Sequence, residues 1–168
     1  MTTLATESGS PADQLPLFDR LPAEHLFDMY VDLQPAQMIP TAVGTRLTFI
    51  ARGGVIDGPR LRGEILPGGG DWLLVGTDQV GRIDVRATLR THDAALIHYE
   101  TRGVIKIPAD GLERLAAGEV LGFEQTYVRT TPKFETADER YTWLNEIVAV
   151  GYNVLSPDHI DYRIYRVL

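Results

Sequence analysis

Two aspartates and an arginine in the middle of the chain have side chains suited to acid–base chemistry. Asp71 follows three glycines and precedes Trp72, while Asp84 and Arg86 lie two positions apart. A carboxylate can give or take a proton, and a guanidinium can stabilise a developing oxyanion. Asp71, Asp84 and Arg86 are therefore candidate catalytic residues. A turn is the alternative role for Asp71, because glycines accept positive φ and Asp side chains bond nearby backbone amides.

The segment 82–90 alternates polar and apolar residues, which is the pattern of a half-buried β-strand. Asp84 and Arg86 share one face of this strand, and Ile83 and Val85 share the other. Inside a barrel, the ion pair would anchor a polar ligand atom, because neither charge could remain unpaired there. On the outside it would be a solvated pair that contributes about 0–1 kcal/mol. Periodicity leaves both alternatives open.

Aromatic and polar side chains elsewhere in the chain could line a cavity for a planar ligand. Core packing explains most aromatic residues of the second half equally well, because aromatic side chains favour half-buried strands. His98 could serve as a general base, although it also fits as a polar strand residue. The candidate ligand-binding residues are Trp72, His98, Tyr99, Tyr127, Arg129, Phe134, Tyr141 and Trp143.

No metal site and no cofactor are predicted. Glu100 shares a strand face with His98, but no second histidine lies nearby, and transition metals generally need several converging ligands. The glycines before Asp71 are not followed by the Lys-Ser/Thr ending of a phosphate-binding loop. No Gly-x-Ser-x-Gly motif indicates nucleophilic hydrolysis.

Length, charge and cysteine content exclude several classes of protein. The chain has 168 residues, of which 44% are hydrophobic, so a single domain can bury a sufficient core. Its 16 basic and 23 acidic residues give a net charge of −7, which argues against binding to nucleic acid or to an anionic membrane. The absence of cysteine excludes disulfides, zinc thiolate sites and thiol nucleophiles. No apolar run approaches the roughly 20 residues of a membrane span, and no secretory signal is evident, so a cytoplasmic location is expected.

The distribution of apolar residues predicts one β-rich domain. Residues 1–14 contain almost no large apolar side chains and are predicted to form a disordered tail, whereas 15–168 form a single domain. Runs of β-branched and aromatic residues separated by Gly, Pro and Asp predict about eight to ten short strands. These strands cover 26–33, 46–51, 61–66, 72–75, 82–90, 95–101, 123–130, 147–154 and 160–168. Because strands do not alternate regularly with helices, the pattern favours an all-β antiparallel barrel.

Two short helices are predicted between the strands. Asp110 followed by Glu113 resembles a capping box and opens a helix over 111–117. Thr136 begins a similar signature before a second helix near 140–144. Each helix is a brief interruption of the strands.

Several separated motifs resemble one protein family. They are Arg62-Gly63, Pro67-Gly68-Gly69-Gly70-Asp71-Trp72, Asp84-Val85-Arg86, Thr91-His92-Asp93 and the late segment Phe134-Glu135-Thr136…Arg140-Tyr141-Thr142-Trp143-Leu144-Asn145. In this order, over about 27–168, they resemble the domain-of-unknown-function-3237 family. The resemblance implies a small antiparallel β-barrel that is similar in build to ligand-binding calycins. It also implies an oligomer, for which we expect a homodimer.

The chain departs from the family pattern at two places. Ala94 follows Asp93 where the family often has Gly. A helix-like insert, 105–120, lies in a region where the family varies. Both departures leave the barrel intact, and we expect the insert to reshape the mouth of the pocket.

These observations lead to two hypotheses for function. The first is a β-barrel that binds a small apolar molecule of aromatic or polyketide-like character. Cofactor-free acid–base catalysis inside the barrel would extend this hypothesis to an isomerisation, cyclisation, hydration or elimination, and the enzyme would be a lyase or an isomerase. The alternative is a non-catalytic structural or interaction module that oligomerises through the barrel surface.

Overall fold

The computed structural model describes Pro16 and residues 18–168. In this part of the chain there are ten β-strands, one α-helix and two short 3-10 helices. The strands are β1 (Ala23–Leu33), β2 (Gln37–Thr41), β3 (Gly44–Asp57), β4 (Gly63–Ile65), β5 (Gly70–Gly76), β6 (Gly81–Thr91), β7 (Leu96–Lys106), β8 (Tyr127–Glu135), β9 (Ala149–Leu155) and β10 (His159–Val167). The helix α1 is Gly111–Ala116, and the 3-10 helices are Phe123–Gln125 and Thr142–Glu146. The predicted tail, 1–14, lies outside the described residues.

The strands close into an antiparallel barrel. The hydrogen-bonded order is β1, β10, β9, β8, β7, β6, β4 and β3, and β3 pairs with β1 again, while β5 joins β3 to β6. Because β4 and β5 occupy the same position between β3 and β6, the barrel has eight strand positions. Closure pairs the backbone groups that edge strands would expose. The prediction of an all-β antiparallel barrel is confirmed.

The break between β4 and β5 is a short turn that is held against β3. Gly68 adopts a φ of 102°, in the region that favours glycine. The Gly68 N–H donates to the Ala51 carbonyl at 3.2 Å, and the Ala51 N–H donates to the Gly69 carbonyl at 2.8 Å. The glycines before Asp71 therefore allow the chain to turn out of the barrel sheet after β4 and to rejoin the sheet as β5.

The apolar face of β6 points into the barrel. Ile83, Val85 and Leu89 are 7%, 8% and 0% exposed. Arg82 and Arg90, on the other face, are exposed. Since side chains alternate across a strand, the whole charged face of β6 points outwards.

The strands differ from the predictions mainly in three respects, of which the first is that β3 continues to Asp57, beyond the predicted end at residue 51. β8 begins at Tyr127 rather than at residue 123, because the Gly122 N–H donates to the Gln125 side chain at 2.9 Å and closes a 3-10 turn over Phe123–Gln125. The strand β2 was not predicted. All five of its residues are exposed, so no alternation of burial marks it in the sequence.

The helix predictions are partly right. The helix α1 begins at Gly111 as predicted, but the Asp110 side chain makes no capping hydrogen bond. Thr136 does not cap a helix either, because its hydroxyl donates to the Leu96 carbonyl at 2.9 Å and ties this segment to β7. The second predicted helix is the 3-10 helix Thr142–Glu146.

The β6–β7 turn and the segment 134–146 meet at one end of the barrel, which we call the Asp93 end. Arg140 Nη1 donates to Asp93 Oδ2 at 2.7 Å, and the Tyr141 hydroxyl donates to Asp93 Oδ1 at 2.9 Å. The Thr91 hydroxyl donates to the same carboxylate. Two of the motifs that carried the family resemblance are therefore joined by side-chain hydrogen bonds around one aspartate.

The turn at the Asp93 end places Ala94 in a conformation that L-residues rarely adopt. Its φ is 69°, and its N–H donates to the Thr91 carbonyl at 2.9 Å. A left-handed conformation costs a residue with a Cβ about 1–2 kcal/mol. This geometry explains why a glycine suits the position after Asp93.

Candidate ligand-binding and active site

Asp71 lies on the inner face of β5, where its carboxylate replaces a backbone hydrogen-bond acceptor. Its Cα pairs with Phe49 of β3 and with Val85 of β6. After Asp71, the next residue of β5 that pairs with β6 is Leu74. Between these two pairs, Asp71 Oδ1 accepts a hydrogen bond from the Asp84 N–H at 3.0 Å. The carboxylate is therefore fixed in the wall of the barrel.

The surroundings of Asp71 bring its pKa close to neutrality. Burial raises the pKa to about 6, and the negative charge of Asp84 acts in the same direction. The hydrogen bond from the Asp84 N–H opposes this increase. At neutral pH the carboxyl can therefore exchange a proton, as a general acid or base must.

A small apolar cavity lies beside Asp71. Its volume is about 30 Å³. That is space for about two water molecules, since one needs roughly 10–15 Å³ of such volume. The lining residues include Met29, Phe49, Val85, Ala87, Tyr99 and Tyr162. Asp71 thus faces a mainly hydrocarbon surface that also carries two tyrosines.

Tyr99, Tyr162 and Arg86 are the other residues with polar side chains among those that line this cavity. Tyr99 is 2% exposed, and within the described residues its hydroxyl has no hydrogen-bond partner. Burial raises the pKa of Tyr99, with Thr101 acting in the opposite direction. Burial also raises the pKa of Tyr162, and the charges of Tyr99 and Asp71 raise it further, while Asn153 opposes them. Both phenols therefore stay protonated at neutral pH and can donate hydrogen bonds.

Asp84 and Arg86, the other two candidate catalytic residues, lie on the outer face of β6. Their side chains are 35% and 43% exposed, and Arg86 Nη1 lies 3.1 Å from Asp84 Oδ1. Arg102 of β7 approaches Asp84 to 3.8 Å. Of the two alternatives for this pair, the structure supports the solvated one. The ion pair itself lies outside the apolar inner face of β6, although Arg86 is also among the residues that border the cavity.

The candidate ligand-binding residues fall into four groups. Tyr99 is the one that lines the cavity. Phe134 packs against Phe27 and Tyr99, with ring centroids 5.9 and 5.6 Å apart, and so belongs to the core. Tyr141 and Trp143 lie at the Asp93 end, where the Arg60 guanidinium is 3.9 Å from the Trp143 ring centroid.

The remaining candidates lie on the outside of the barrel. Trp72 is 38% exposed, and His98 is also exposed. The Arg129 guanidinium lies 4.8 Å from the ring centroid of Tyr127 and 4.5 Å from that of Phe123. These residues are not brought together with Asp71, and they do not line the cavity beside it.

Three further lining residues, Tyr162, Met29 and Phe49, were not predicted from the sequence. Tyr162 is 7% exposed between inward-facing Ile160 and Ile164, and that alternation was available as a signal. Met29 and Phe49 come from strands that precede Asp71 in the chain by more than 20 residues. No local pattern links them to it.

Two further observations concern the part of the chain that the structure describes. It contains no group of three or more His, Asp or Glu side chains placed to hold a metal ion. It also contains no helix with the length and hydropathy needed to cross a membrane.

The fold and the site define a class of protein: a closed antiparallel β-barrel with a half-buried, inward-facing carboxylate beside a small apolar cavity. A family model described as "Protein of unknown function (DUF3237)" matches residues 22–167. The chain therefore belongs to this family, as its motifs indicated.

Relatives within and near the family share the fold. The UPF0311 protein RPA1785 of Rhodopseudomonas palustris is 28% identical over 125 residues, covering 74% of this chain and 82% of the relative. Its crystal structure superposes with a TM-score of 0.83 at 24% identity, over 90% of this chain and all of that one. A beta-barrel like protein of Acinetobacter baumannii has a TM-score of 0.73 at 31% identity, over 90% and 100% of the two chains. An enzyme from Penicillium herquei has a TM-score of 0.67 at 21% identity, over 92% and 100%, which shows the fold alone.

Proposed function

We propose that this protein binds a small, largely apolar molecule of aromatic or polyketide-like character inside its barrel, and that Asp71 acts on it as a general acid or base. The observation that carries the proposal is the position of Asp71. Its carboxylate lies in the inner wall beside an apolar cavity and has a pKa of about 6. An exposed aspartate with only a structural role loses its proton well below pH 6 and has no apolar cavity beside its carboxylate.

Asp71 and the two tyrosines that line the cavity suit proton transfer at a carbon next to a carbonyl. Asp71 would remove or return the proton, and the hydroxyls of Tyr99 and Tyr162 would donate hydrogen bonds to the oxygen as its negative charge develops. These steps need only groups of the protein. They fit an isomerisation, cyclisation, hydration or elimination, so the enzyme would be a cofactor-independent lyase or isomerase.

The fold is compatible with catalysis, since a barrel of similar structure from Penicillium herquei is described as an enzyme. Ligand entry requires movement of side chains, because a cavity of about 30 Å³ is smaller than one aromatic ring. Val31, Phe49 and Ile160 line the cavity and are only half-buried. We therefore expect them to move aside when a ligand enters.

A role in self-association is the second candidate, and the exposed strand β2 favours it. Within the described residues β2 pairs only with β3, so its other edge is free. Met38, Ile39 and Val43 at this edge are 65%, 52% and 63% exposed. A homodimer joined through β2 would cover these side chains, and size-exclusion chromatography with light scattering would detect it. A monomer at micromolar concentration would contradict this candidate. The cytoplasmic location predicted from the sequence remains part of the proposal.

The acid–base proposal can be tested with 2-tetralone, an aromatic ketone with exchangeable α-protons. We expect the wild-type protein to bind it in a calorimetric titration and to accelerate α-proton exchange in D₂O, followed by NMR. The Asp71→Asn variant should lose this acceleration by about 10²–10⁴-fold. The matched control, Asp84→Asn, removes a carboxylate on the outer face and should retain the exchange rate. Equal exchange rates in the two variants would contradict the role of Asp71. If the wild type binds 2-tetralone but does not accelerate exchange of its α-protons, only the ligand-binding part of the proposal would remain.

A further inference from the structure

The inner wall formed by β7, β8 and β9 carries polar side chains that have no hydrogen-bond partner. Tyr99, Thr101, Thr130 and Asn153 are 2%, 0%, 2% and 3% exposed. Among the described residues, Tyr99 Oη, Thr101 Oγ1, Thr130 Oγ1 and Asn153 Oδ1 make no hydrogen bond of ordinary length, although Thr101 lies close enough to Tyr99, and Asn153 to Tyr162, to interact with these phenols. By contrast, the buried hydroxyl of Thr91 accepts a hydrogen bond from the Ala95 N–H at 2.8 Å.

The strand register connects this polar wall to the proposed active site. Val85 pairs with both Asp71 and Thr101, so these two residues occupy the same level of the sheet on either side of β6. Tyr99 is two positions from Thr101 and shares its face. On the far side of the wall, Asn153 pairs with Tyr162, which lines the cavity.

The opposite wall of the barrel is apolar. In the order of the eight strand positions, β7 and β8 lie across the barrel from β1 and β3. The inward residues there are Met29 and Val31 of β1 and Leu47 and Phe49 of β3. The interior therefore has one hydrocarbon side and one side that offers hydroxyl and amide groups.

Four unpartnered polar groups are costly for a protein to keep inside its core. Each buried group that loses its water partners without gaining another destabilises the fold, and native proteins contain few of them. A group of this kind that is retained can be explained by a ligand that completes its hydrogen bonds. Thr101 lies at the level of Asp71, and Thr130 and Asn153 follow on the next two strands, so the clustering of these groups on adjacent strands points to a ligand with several oxygens.

We infer that the ligand of the proposed site carries hydroxyl or carbonyl oxygens along one edge, which hydrogen-bonds to Thr101, Thr130 and Asn153. Its hydrocarbon face packs against β1 and β3. The threonine hydroxyls can donate or accept, and Asn153 Oδ1 accepts from a ligand hydroxyl. This inference rests on the proposed function, since it assigns the substrate class of the same site and makes these three residues specificity determinants.

Three probes with one ring skeleton test the inference: naphthalene, 2-naphthol and 2,3-dihydroxynaphthalene, followed by their fluorescence. We expect the wild type to bind the dihydroxy compound at least about tenfold more tightly than naphthalene, because unpaired groups in a site reject an analogue that lacks the matching polar atoms. Thr101→Val and Thr130→Val should each reduce this preference by about fivefold or more and leave the affinity for naphthalene unchanged. Thr101→Ser keeps the hydroxyl and should keep the preference.

Thermal unfolding provides a second readout that needs no ligand. Thr101→Val and Thr130→Val each remove an unpaired hydroxyl. We therefore expect each variant to have an unchanged melting temperature or one that is about 2–4 °C higher. The matched control Thr91→Val removes a bonded hydroxyl and should lower the melting temperature. A similar decrease in the Thr101 variant would show that its hydroxyl serves the fold, and the inference would be wrong.

The outcomes separate the inference from the proposed function. Equal binding of all three probes by the wild type would overturn the inference and leave a ligand-binding barrel with Asp71 intact. Binding of none of the probes, together with no binding of 2-tetralone, would overturn both. A preference for 2,3-dihydroxynaphthalene that disappears in the valine variants would support the inference even if Asp71→Asn does not affect proton exchange.

Discussion

Asp71 and Asp84 are joined through the wall of the barrel by a hydrogen bond from the Asp84 N–H to Asp71 Oδ1 at 3.0 Å. The side chain of Asp71 faces the interior, and that of Asp84 faces outwards and pairs with Arg86. The backbone amide of Asp84 thus connects an inward-facing carboxylate to one that is partly exposed on the outer face. Two residues that look alike in the sequence therefore have different environments, and this difference leads to the first two predictions.

Replacing Asp71 by Asn should stabilise the protein at neutral pH. The pKa of Asp71 in the folded protein is about 6, compared with 3.8 for an unperturbed aspartate. Between these values the folded state holds the proton more strongly than the unfolded state, so stability falls as pH rises through this window. The cost of ionising the buried carboxyl approaches about 3 kcal/mol above pH 6. Asn avoids this cost and keeps an oxygen for the Asp84 N–H.

Urea denaturation at pH 4, 5, 6 and 7 checks this prediction. Wild-type stability should decrease across the series relative to Asp71→Asn, and the two curves should converge near pH 4. Parallel curves would mean that Asp71 is ionised in the folded protein over the whole range.

Asp84→Ala and Arg86→Ala should have small effects. Their side chains are 35% and 43% exposed, and an exposed ion pair contributes about 0–1 kcal/mol. We expect unfolding free energies within about 1 kcal/mol of the wild type and unchanged ligand affinity. A large loss of binding in either variant would place this pair at the site and contradict the assignment of the β6 faces.

Tyr141→Phe should weaken the Asp93 end of the barrel. The Tyr141 hydroxyl donates to Asp93 Oδ1 at 2.9 Å. Together with the larger contribution of the Thr91 hydroxyl and the charge of Arg140, it holds the pKa of Asp93 below its ordinary value, against the effect of burial. Loss of a hydrogen bond to a charged group should lower the melting temperature by about 2–4 °C. Calorimetry measures the shift, and Tyr127→Phe, on an exposed residue without this bond, is the control. An identical melting temperature for the two variants would show that the contact is dispensable.

Ala94→Gly should stabilise the protein by about 1 kcal/mol, because glycine adopts a positive φ without the strain that a Cβ causes. The φ of Ala94 is 69°. The opposite substitution, Gly118→Ala at a φ of 89°, should be destabilising and serves as the matched control. Chemical denaturation of both variants gives the comparison. A destabilised Ala94→Gly would mean that this turn has a different conformation in solution.

Much of the fold could be predicted from local patterns. The alternation over 82–90 and the return strand after 91–93 identified the β6–β7 hairpin, since period-two patterning and a short turn are local properties. Exposed β2 and the 3-10 turn at Phe123–Gln125 escaped prediction, because neither buries an alternating face. Of the candidate catalytic residues, Asp71 remains a candidate inside the barrel, while Asp84 and Arg86 are outside.

By itself, the sequence determined that the chain forms antiparallel strands and which residues of each strand share a face. Only the tertiary structure decided which of those faces is inside, because that depends on how the sheet closes on itself. Closure placed Tyr162 and Asn153, from the last two strands, on the inner surface with Asp71. Contacts of this kind join residues about 80–90 positions apart, and no periodicity within one strand can specify them.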